Sequence, residues 1–318
     1  MSYLEQKEVK TKTYVSFVKK ITFMKHQLVI KKYIGPADSK INKEKYLLDN
    51  LQEISHKEFQ FRLKYLEPIK NRLSYNASLP EEVEKRTIEI NNLIEGKQCT
   101  NLVDSEFAME FTFNSNNIEG SKIPPDVVRQ IVETGSTKYK NKNEIREVKN
   151  SITALNYLKG SFRFNIQSIK KLYHLLTHEL YMENKIPYPR GFKKVKNIIG
   201  NSTTTPPEEV AKELDKLLSW YKDNKDKIHP LILAFEFHRR YESIHPFLDC
   251  NGRTGRLIMN KILINAGYFP IVIYKENKTA YFNYLEKSKE GKTKVCYQFM
   301  LEQARKTYDY ILHILDKY

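Results

Sequence analysis

His245-Pro-Phe-Leu-Asp-Cys-Asn-Gly-Arg-Thr-Gly-Arg256 combines a histidine, a carboxylate, an Asn-Gly turn and two arginines, and an apolar helical run follows it at once. At the start of a helix, Asn251-Gly252 leaves backbone N–H groups unpaired at the positive end of the helix dipole, which suits an anion. Arg253 and Arg256 lie on one face of the first turn and can hold phosphate oxygens. The stretch therefore predicts a phosphate-binding helix start.

Two further residues of this stretch predict chemistry on that phosphate. Asp249 is a candidate Mg²⁺ ligand, because Mg²⁺ binds through one or two carboxylates together with substrate phosphates. His245 is the candidate proton acceptor, since histidine ordinarily titrates near neutrality. Two alternatives are a solvated turn and a metal site made by His238 and His245. The first does not explain why these groups converge, and the second lacks a third ligand at suitable spacing.

The stretch resembles the signature of the Fic family, His-Pro-Phe-x-Asp/Glu-Gly-Asn-Gly-Arg-x-x-Arg, with one departure. Cys250 stands where the family most often has glycine. A cysteine keeps the backbone N–H there but adds strain if the position requires a positive φ. The best-known members transfer AMP from ATP to a hydroxyl side chain of another protein.

The resemblance implies a protein adenylyltransferase with ATP as co-substrate and Mg²⁺ as cofactor. His245 would be the catalytic base and Asp249 the metal ligand. The ATP phosphates would be bound by Asn251, Gly252, Arg253 and Arg256. The target is a Ser, Thr or Tyr hydroxyl of a protein not identified by the motif, which can be the chain itself. Removal of AMP by the same site and use of another phosphate donor stay open.

A second motif precedes this core. Residues 104–120 predict an amphipathic helix that ends at Gly120. Within it, Ser115-Asn-Asn-Ile-Glu119-Gly120 resembles the inhibitory pattern Ser/Thr-x-x-x-Glu-Gly/Asn of the Fic class with an N-terminal inhibitory helix. The resemblance implies that Ser115 and Glu119 form the inhibitory site and that Glu119 pairs with Arg256. The alternatives are a solvated helix end and a similar string, Asn91-Asn-Leu-Ile-Glu95-Gly96, which has Asn at the Ser/Thr position.

Residues 191–206 are the clearest non-helical part of the core, and short β-branched runs around Gly200 predict a hairpin. In the Fic fold the corresponding hairpin is a flap that clamps the target by strand addition. The resemblance implies a nucleotide-facing tip made of Ile199, Gly200, Asn201 and Ser202. It also implies a nucleotide pocket lined by Tyr281 and Phe282.

The expected fold is mainly α: a Fic-type helical bundle core with a β-hairpin flap, after a small N-terminal extension of strands and helices. The extension is residues 1–100 and the catalytic domain residues 101–318. Strands are predicted at 13–18, 21–24 and 27–34, and extension helices at 45–65 and 81–95, the latter stopping at Gly96. Apolar spacing predicts core helices at 125–133, 144–159, 167–182, 207–224, 229–244, 252–266, 278–289 and 295–315.

Composition limits the remaining choices. The 318 residues carry 54 Lys and Arg against 38 Asp and Glu, a net charge of +16. This surplus permits nucleic-acid binding without requiring it, so a basic helical nucleic-acid-binding regulatory module is the alternative function. Three widely spaced cysteines indicate no disulfide framework, and no apolar run reaches membrane-spanning length. A cytoplasmic protein is expected, and a homodimer stays open.

Overall fold

Alternating apolar residues near the start of the chain form a three-stranded antiparallel sheet in the computed structural model, which describes residues 2–37, 41–182, 186–199 and 202–318. The strands, in spatial order, are β1 (Ser2–Val9), β2 (Lys12–Phe23) and β3 (His26–Pro36). Phe17 and Ile30 lie on the inner face and pack with Leu47 of the next helix. The sheet therefore buries one face against helices, as the alternation requires.

The strand boundaries differ from those predicted. The segments predicted at 13–18 and 21–24 belong to one continuous strand, β2, and β1 was not predicted. The reason for the omission is that Glu5-Gln-Lys-Glu8 has low β-propensity. Backbone pairing with β2, from Ser2 opposite Lys19 to Val9 opposite Lys12, makes this polar segment an edge strand.

Four helices complete the N-terminal region: α1 (Lys43–Asp49), α2 (Leu51–Leu63), α3 (Glu67–Lys70) and α4 (Leu79–Lys97). The predicted helix 45–65 is divided at Asn50, whose side chain donates to the Tyr46 carbonyl (2.9 Å) and ends α1. Helix α4 continues through Gly96, the predicted stop. A Cβ at Gly96 would lie 2.6 Å from Leu48 Cδ2, so this glycine permits close packing of α1 on α4.

The core is mainly helical, with one short hairpin. Its elements are α5 (Thr100–Ile118), α6 (Pro125–Thr134), α7 (Lys142–Gly160), α8 (Ile166–Leu176), β4 (Ile198–Ile199), β5 (Ser202–Thr203), α9 (Val210–Asn224), α10 (Pro230–Ile244), α11 (Asn251–Asn265), α12 (Lys278–Lys289) and α13 (Thr293–Lys317). Helix α12 has the predicted bounds, whereas the helix predicted at 167–182 ends at Leu176, where Thr177 caps it. In the described chain, no helix has the length and apolar character needed to cross a membrane.

The loop between α10 and α11 is anchored in this core. Phe247 is fully buried and stacks on Tyr173 of α8, with ring centroids 4.0 Å apart and planes 3° from parallel. Helix α11 is buried along almost its whole length. The stretch 245–256 therefore stands on rigid, packed elements, which is the arrangement a precise site requires.

The N-terminal region and the core share buried contacts. Arg62 of α2 is 4% exposed and donates to Glu58 (2.6 Å) and to Glu84 of α4 (2.9 Å). Tyr268, from the core, donates its hydroxyl to the other oxygen of Glu84. Burial raises the pKa of Glu84, and the Arg62 cation opposes that effect. This polar network joins the predicted extension to the predicted catalytic domain.

Replacing Arg62 with alanine is expected to lower the free energy of unfolding by about 3–5 kcal/mol, because it leaves buried carboxyl groups without their cation. Urea denaturation measures the change. The matched control is Lys57→Ala on the same helix, where the lysine is 48% exposed and pairs with Glu53, and about 0–1 kcal/mol is expected there. Equal losses in the two variants would contradict a structural role for the network.

Candidate active site

His245 lies at the junction of α10 and the motif loop. It is the C-cap of α10 in the left-handed conformation (φ +49°), and its backbone N–H donates to the Tyr241 carbonyl at 2.9 Å. Its side chain is 16% exposed. Burial lowers the pKa of His245 to about 4, and the nearby Lys193 cation lowers it further, with Asp249 opposing. The imidazole is therefore neutral at pH 7 and has a lone pair that can accept a proton.

Cys250 is the N-cap of α11 and has a φ of +65°, so this position does require the left-handed region. For a residue with a Cβ, that conformation costs about 1–2 kcal/mol. The loop nevertheless closes, since the Cys250 carbonyl accepts from Thr254 N (3.1 Å) and Thr254 Oγ1 (2.8 Å). Burial raises the pKa of the thiol to about 12, so it stays protonated.

Asn251 holds the loop and does not face a ligand with its side chain. Its amide oxygen accepts from Phe247 N at 2.8 Å, and its amide nitrogen donates to the Phe247 carbonyl at 2.9 Å. The residue is 1% exposed. The side chain of Asn251 therefore positions the His-Pro-Phe segment, and its role in ATP binding stays a prediction.

Arg256 is almost completely buried and is held from α5. Its Nε donates to Ser115 Oγ (3.0 Å), and its Nη2 donates to the Ser115 carbonyl (3.1 Å) and to Glu119 Oε1 (2.7 Å). Its exposure is 1%, and among the described residues its Nη1 has no hydrogen-bond partner. A buried donor without a partner is costly, so this nitrogen marks a place for an acceptor.

Glu119 covers the start of α11. A Cβ built on Gly252 would lie 2.4 Å from Glu119 Oε1 and 2.9 Å from Arg256 Nη1, so only glycine permits this approach. The Glu119 carboxylate thus rests on the helix N-terminus that the sequence predicts as the anion site. Glu95, in the similar string, lies elsewhere and accepts from Ser2 and Lys19 of the N-terminal sheet.

Arg253 pairs with a different helix. Its Nη1 donates to Glu147 Oε1 of α7 at 3.0 Å, and its side chain is 5% exposed. Among the described residues, its Nε has no hydrogen-bond partner. Both arginines of the motif are therefore buried cations that carry a carboxylate, Glu119 for one and Glu147 for the other, and each retains an unpaired N–H.

Asp249 is exposed at the mouth of the site. Its Oδ2 accepts from the Tyr188 hydroxyl at 2.9 Å, and its Oδ1 accepts from Cys250 N. Within the described ranges, no group of three or more His, Cys, Asp or Glu side chains could hold a metal. An exposed carboxylate beside a phosphate site fits Mg²⁺, which keeps water ligands and binds substrate phosphates. His238 does not join His245 as a ligand, because its Nε2 bonds Tyr281 Oη at 2.8 Å.

Tyr281 and Phe282 are separated by their burial. Tyr281 is fully buried, its hydroxyl bonds His238, and Arg256 Cζ lies 5.8 Å from the centre of its ring. Phe282 is 36% exposed. Tyr281 therefore packs beside Arg256 in the interior and Phe282 alone of the pair reaches the surface, while a nucleotide pocket lined by the two stays a prediction.

The predicted flap contains the β4–β5 hairpin, in which Ile198 pairs with Thr203 and Ile199 with Ser202. Gly200 and Asn201, also predicted at its tip, lie outside the described residues. Lys193 fixes the base of the flap to the active-site loop. Its Nζ donates to Asn197 Oδ1 (2.8 Å), Thr204 Oγ1 (2.6 Å) and the Ile244 carbonyl (3.3 Å).

Four side chains at this site were not singled out from the sequence: Glu147, Tyr188, Lys193 and Glu242. Glu242 had a signal, because a position three residues before His245 on a helix lies on the same face. The other three are distant in sequence and carry no motif. Tertiary packing alone brings them to the loop.

Comparisons with known proteins find relatives of this chain in sequence and in structure. Residues 163–263 match the model of the Fic/DOC family. Over 236 residues the chain is 27% identical to the Drosophila erecta protein named protein adenylyltransferase Fic, covering 73% of this chain and 47% of that protein. The Drosophila mojavensis protein of the same name is 27% identical over 269 residues, covering 76% and 52%. The chain thus spans about half the length of these relatives.

Solved structures share the fold. A Fic-domain signaling protein from Bacteroides thetaiotaomicron has a TM-score of 0.66 at 21% identity, covering 74% of this chain and 97% of that one. A Fic family protein from Desulfovibrio desulfuricans has a TM-score of 0.59 at 22% identity, covering 73% and 74%. The predicted mainly helical, Fic-type fold is confirmed. Residues 163–263 are thus similar to the Fic/DOC family, and the fold is that of Fic-domain structures.

Proposed function

We propose that this protein is an adenylyltransferase that transfers AMP from ATP to a Ser, Thr or Tyr hydroxyl of a protein, and that Glu119 inhibits it. One observation carries the proposal: among the described residues the buried Arg256 Nη1 has no hydrogen-bond partner, and it lies against Gly252 at the start of α11, the helix that follows the neutral imidazole of His245. Two relatives that are 27% identical to this chain over the matched residues are named protein adenylyltransferase Fic. A phosphate site next to a base is what nucleotidyl transfer needs.

In the reaction, the target hydroxyl oxygen attacks the α-phosphorus of ATP. A new P–O bond forms, the bond from the α-phosphorus to the bridging oxygen breaks, and pyrophosphate leaves with that oxygen. His245 Nε2 takes the hydroxyl proton. The unpaired N–H groups of Arg253 and Arg256, with the N–H groups at the start of α11, hold the phosphates and stabilise the charge that develops.

Asp249 is the residue that would hold Mg²⁺, since its carboxylate is exposed at the edge of the phosphate site. The ion would supply positive charge to the phosphate oxygens when bound. Tyr188, through its hydroxyl bond to Asp249, limits the rotation of the carboxylate. Orientation of a ligand by such a partner is a common requirement of metal sites.

Inhibition follows from the shared guanidinium. While Glu119 Oε1 occupies Arg256 Nη2 at 2.7 Å, the same N–H group cannot hold a γ-phosphate, so ATP binds in an unproductive position. Ser115 supports this state by accepting two further bonds from Arg256.

The target segment would add as a strand beside β4–β5. We place the reaction in the cytoplasm, where the free Cys99, Cys250 and Cys296 stay reduced.

The test uses ATP labelled at either the α- or the γ-phosphate, with Mg²⁺, on the wild-type protein and Glu119→Gly. AMP transfer places the α-label, and not the γ-label, on protein. Incorporation of γ-label would identify a phosphotransferase instead. Retention on DNA without either label, in both proteins, would overturn the proposal in favour of the nucleic-acid-binding alternative. Mass spectrometry of the labelled protein identifies the transferred group.

Replacing Asp249 with asparagine is expected to raise the Mg²⁺ concentration needed for half-maximal transfer by about tenfold or more, because a neutral amide is a poor ligand for a hard cation. The melting temperature should not fall, since the carboxylate is exposed. A Mg²⁺ titration of the initial rate measures the shift. Asp223→Asn, at an exposed position of α9, is the control. An unchanged titration in Asp249→Asn would contradict the assignment.

A further inference from the structure

Glu242, on the last turn of α10, lies directly behind the proposed base. Its Oε2 is 3.9 Å from His245 Nδ1, and its Oε1 is 4.0 Å from His238 Nδ1. The residue is 5% exposed. A Cβ on Gly255 would lie 2.4 Å from Glu242 Oε1, so a glycine in α11 makes room for this carboxyl group.

The carboxyl group is placed between two imidazoles without a complete set of hydrogen bonds. Among the described residues, no side chain forms a hydrogen bond with Glu242 Oε1 or with the Nδ1 atoms of His238 and His245, and only the backbone groups of Gly255 and Glu242 approach the two rings. Buried polar atoms without partners destabilise a fold. A shift of about 1 Å would bring Glu242 Oε2 within hydrogen-bond distance of His245 Nδ1.

We propose that Glu242 is a positioning residue for His245, and that its carboxyl group decides which nitrogen of the imidazole carries the proton. The effect of the tautomer on catalysis rests on the proposed function, whereas the tautomer change itself does not. Its structural basis is the buried carboxyl group facing Nδ1, and it concerns a neutral imidazole in both states. Which nitrogen is protonated is set by the partner of the other nitrogen.

The two states differ by one proton. With Glu242 protonated, its O–H donates to Nδ1, so Nε2 carries the ring proton and cannot accept another. When the pair loses one proton, it leaves from Nε2, and the Glu242 proton moves to Nδ1. The carboxylate then accepts from Nδ1–H, and the Nε2 lone pair faces the target hydroxyl. Ionised Glu242 therefore gives the active tautomer.

The groups around Glu242 and His245 set the pH at which these two residues together lose one proton. Burial raises the pKa of Glu242 to about 8; the Arg256 cation opposes this and Glu119 adds to it. Burial lowers the pKa of His245 to about 4, so the ring itself stays neutral above that range. Among the described residues, the charged or titratable groups that interact with Glu242 are Tyr241 and His238 on its own helix, His245 in the loop, Arg256 of α11, Glu119 after α5, and Tyr281 and Lys289 of α12.

The direct test reads the tautomer by nitrogen NMR of the full chain labelled with ¹⁵N-histidine. The His245 signals are those missing from His245→Ala. Between pH 6 and 10, at 25 °C, the wild-type ring is expected to change from Nε2–H to Nδ1–H, with a midpoint at about pH 8. In Glu242→Gln the change should disappear, because an amide cannot ionise. Glu236→Gln, on the same helix but paired with Arg239 and Arg240, should behave as wild type.

Two outcomes overturn the inference. A single wild-type tautomer across the range would mean that the backbone carbonyl of Glu242, and not its carboxyl group, governs Nδ1. A midpoint retained in Glu242→Gln would also contradict it. If Glu242→Gln does not fold, the wild-type series alone decides.

The catalytic consequence has its own readout. With Glu119→Gly as the starting protein, the transfer rate should rise about tenfold from pH 7 to pH 9, as the fraction of ionised Glu242 rises through a pKa of about 8. The added substitution Glu242→Gln should abolish that rise. Absence of any transfer while the tautomer still changes would refute the proposed function and leave the inference standing. AMP transfer by a protein whose His245 tautomer stays constant would refute the inference and leave the proposed function standing.

Discussion

Replacing His245 with alanine is expected to lower the rate of AMP transfer by about 10²- to 10⁴-fold, the range typical of a lost general base. The imidazole is neutral at pH 7 and its side chain is 16% exposed, so an uncharged base lies within reach of the target. The measurement is the initial rate of α-label incorporation with Glu119→Gly as the starting protein. The transfer rate of Glu119→Gly is expected to be high enough that a loss caused by His245→Ala can be measured.

Two comparisons make that result specific. His178→Ala changes an exposed histidine after α8 and should leave the rate unchanged. The melting temperature of His245→Ala is measured beside the rate, so that a loss of the fold is distinguished from the loss of the base. A folded His245→Ala variant that keeps most of the transfer rate would show that another group takes the proton.

Replacing Glu119 with glycine is expected to raise self-labelling by about 5- to 150-fold, the range of coupling energies commonly found between sites. The substitution removes the carboxylate from Arg256 Nη2 and uncovers the start of α11, so a γ-phosphate can take its place. Position 119 is the C-cap of α5, where glycine is readily accommodated, so the helix end should persist. Incorporation of α-label with time measures the effect.

Two control variants test the arginine that pairs with Glu119 and a second glutamate in a similar sequence. Arg256→Ala added to Glu119→Gly should remove the gain, because the freed guanidinium is itself the proposed phosphate ligand. Glu95→Gln should leave labelling at the wild-type level, since Glu95 serves Ser2 and Lys19 at the N-terminal sheet. Glutamine at position 95 keeps a hydrogen-bond acceptor for Ser2 and Lys19, whereas glycine would remove it. An increase in Glu95→Gln but not in Glu119→Gly would place the inhibitory glutamate at the other string.

The motif was predictable because its chemistry is local. His245, Asp249 and Arg256 lie within twelve consecutive residues, so residue type and spacing are enough to group them in one motif. Helix α12 was likewise predicted with its observed bounds, from apolar spacing alone. A mainly helical fold follows from such local periodicity.

Other features depended on packing that no spacing encodes. Glu147 and Lys193 reach the loop from distant segments, and Tyr281 faces inward because α12 packs on α10. The side chain of Asn251 turned out to be used within its own loop, since Phe247 offers both a donor and an acceptor four residues away. Strand β1 was missed because its polar residues become a strand only through pairing with β2.

The bond between Glu119 and Arg256 also has a reciprocal meaning. If the carboxylate and a phosphate compete for one guanidinium, thermodynamic linkage requires the effect to be equal in both directions. Glu119 would weaken productive ATP binding by a certain factor. Productively bound ATP would then weaken the bond between Arg256 and Glu119, at the end of α5, by the same factor. Ser115 remains attached to the same arginine through two bonds. On the proposed function, bound ATP would therefore loosen the last turn of α5 and leave the rest of that helix in place.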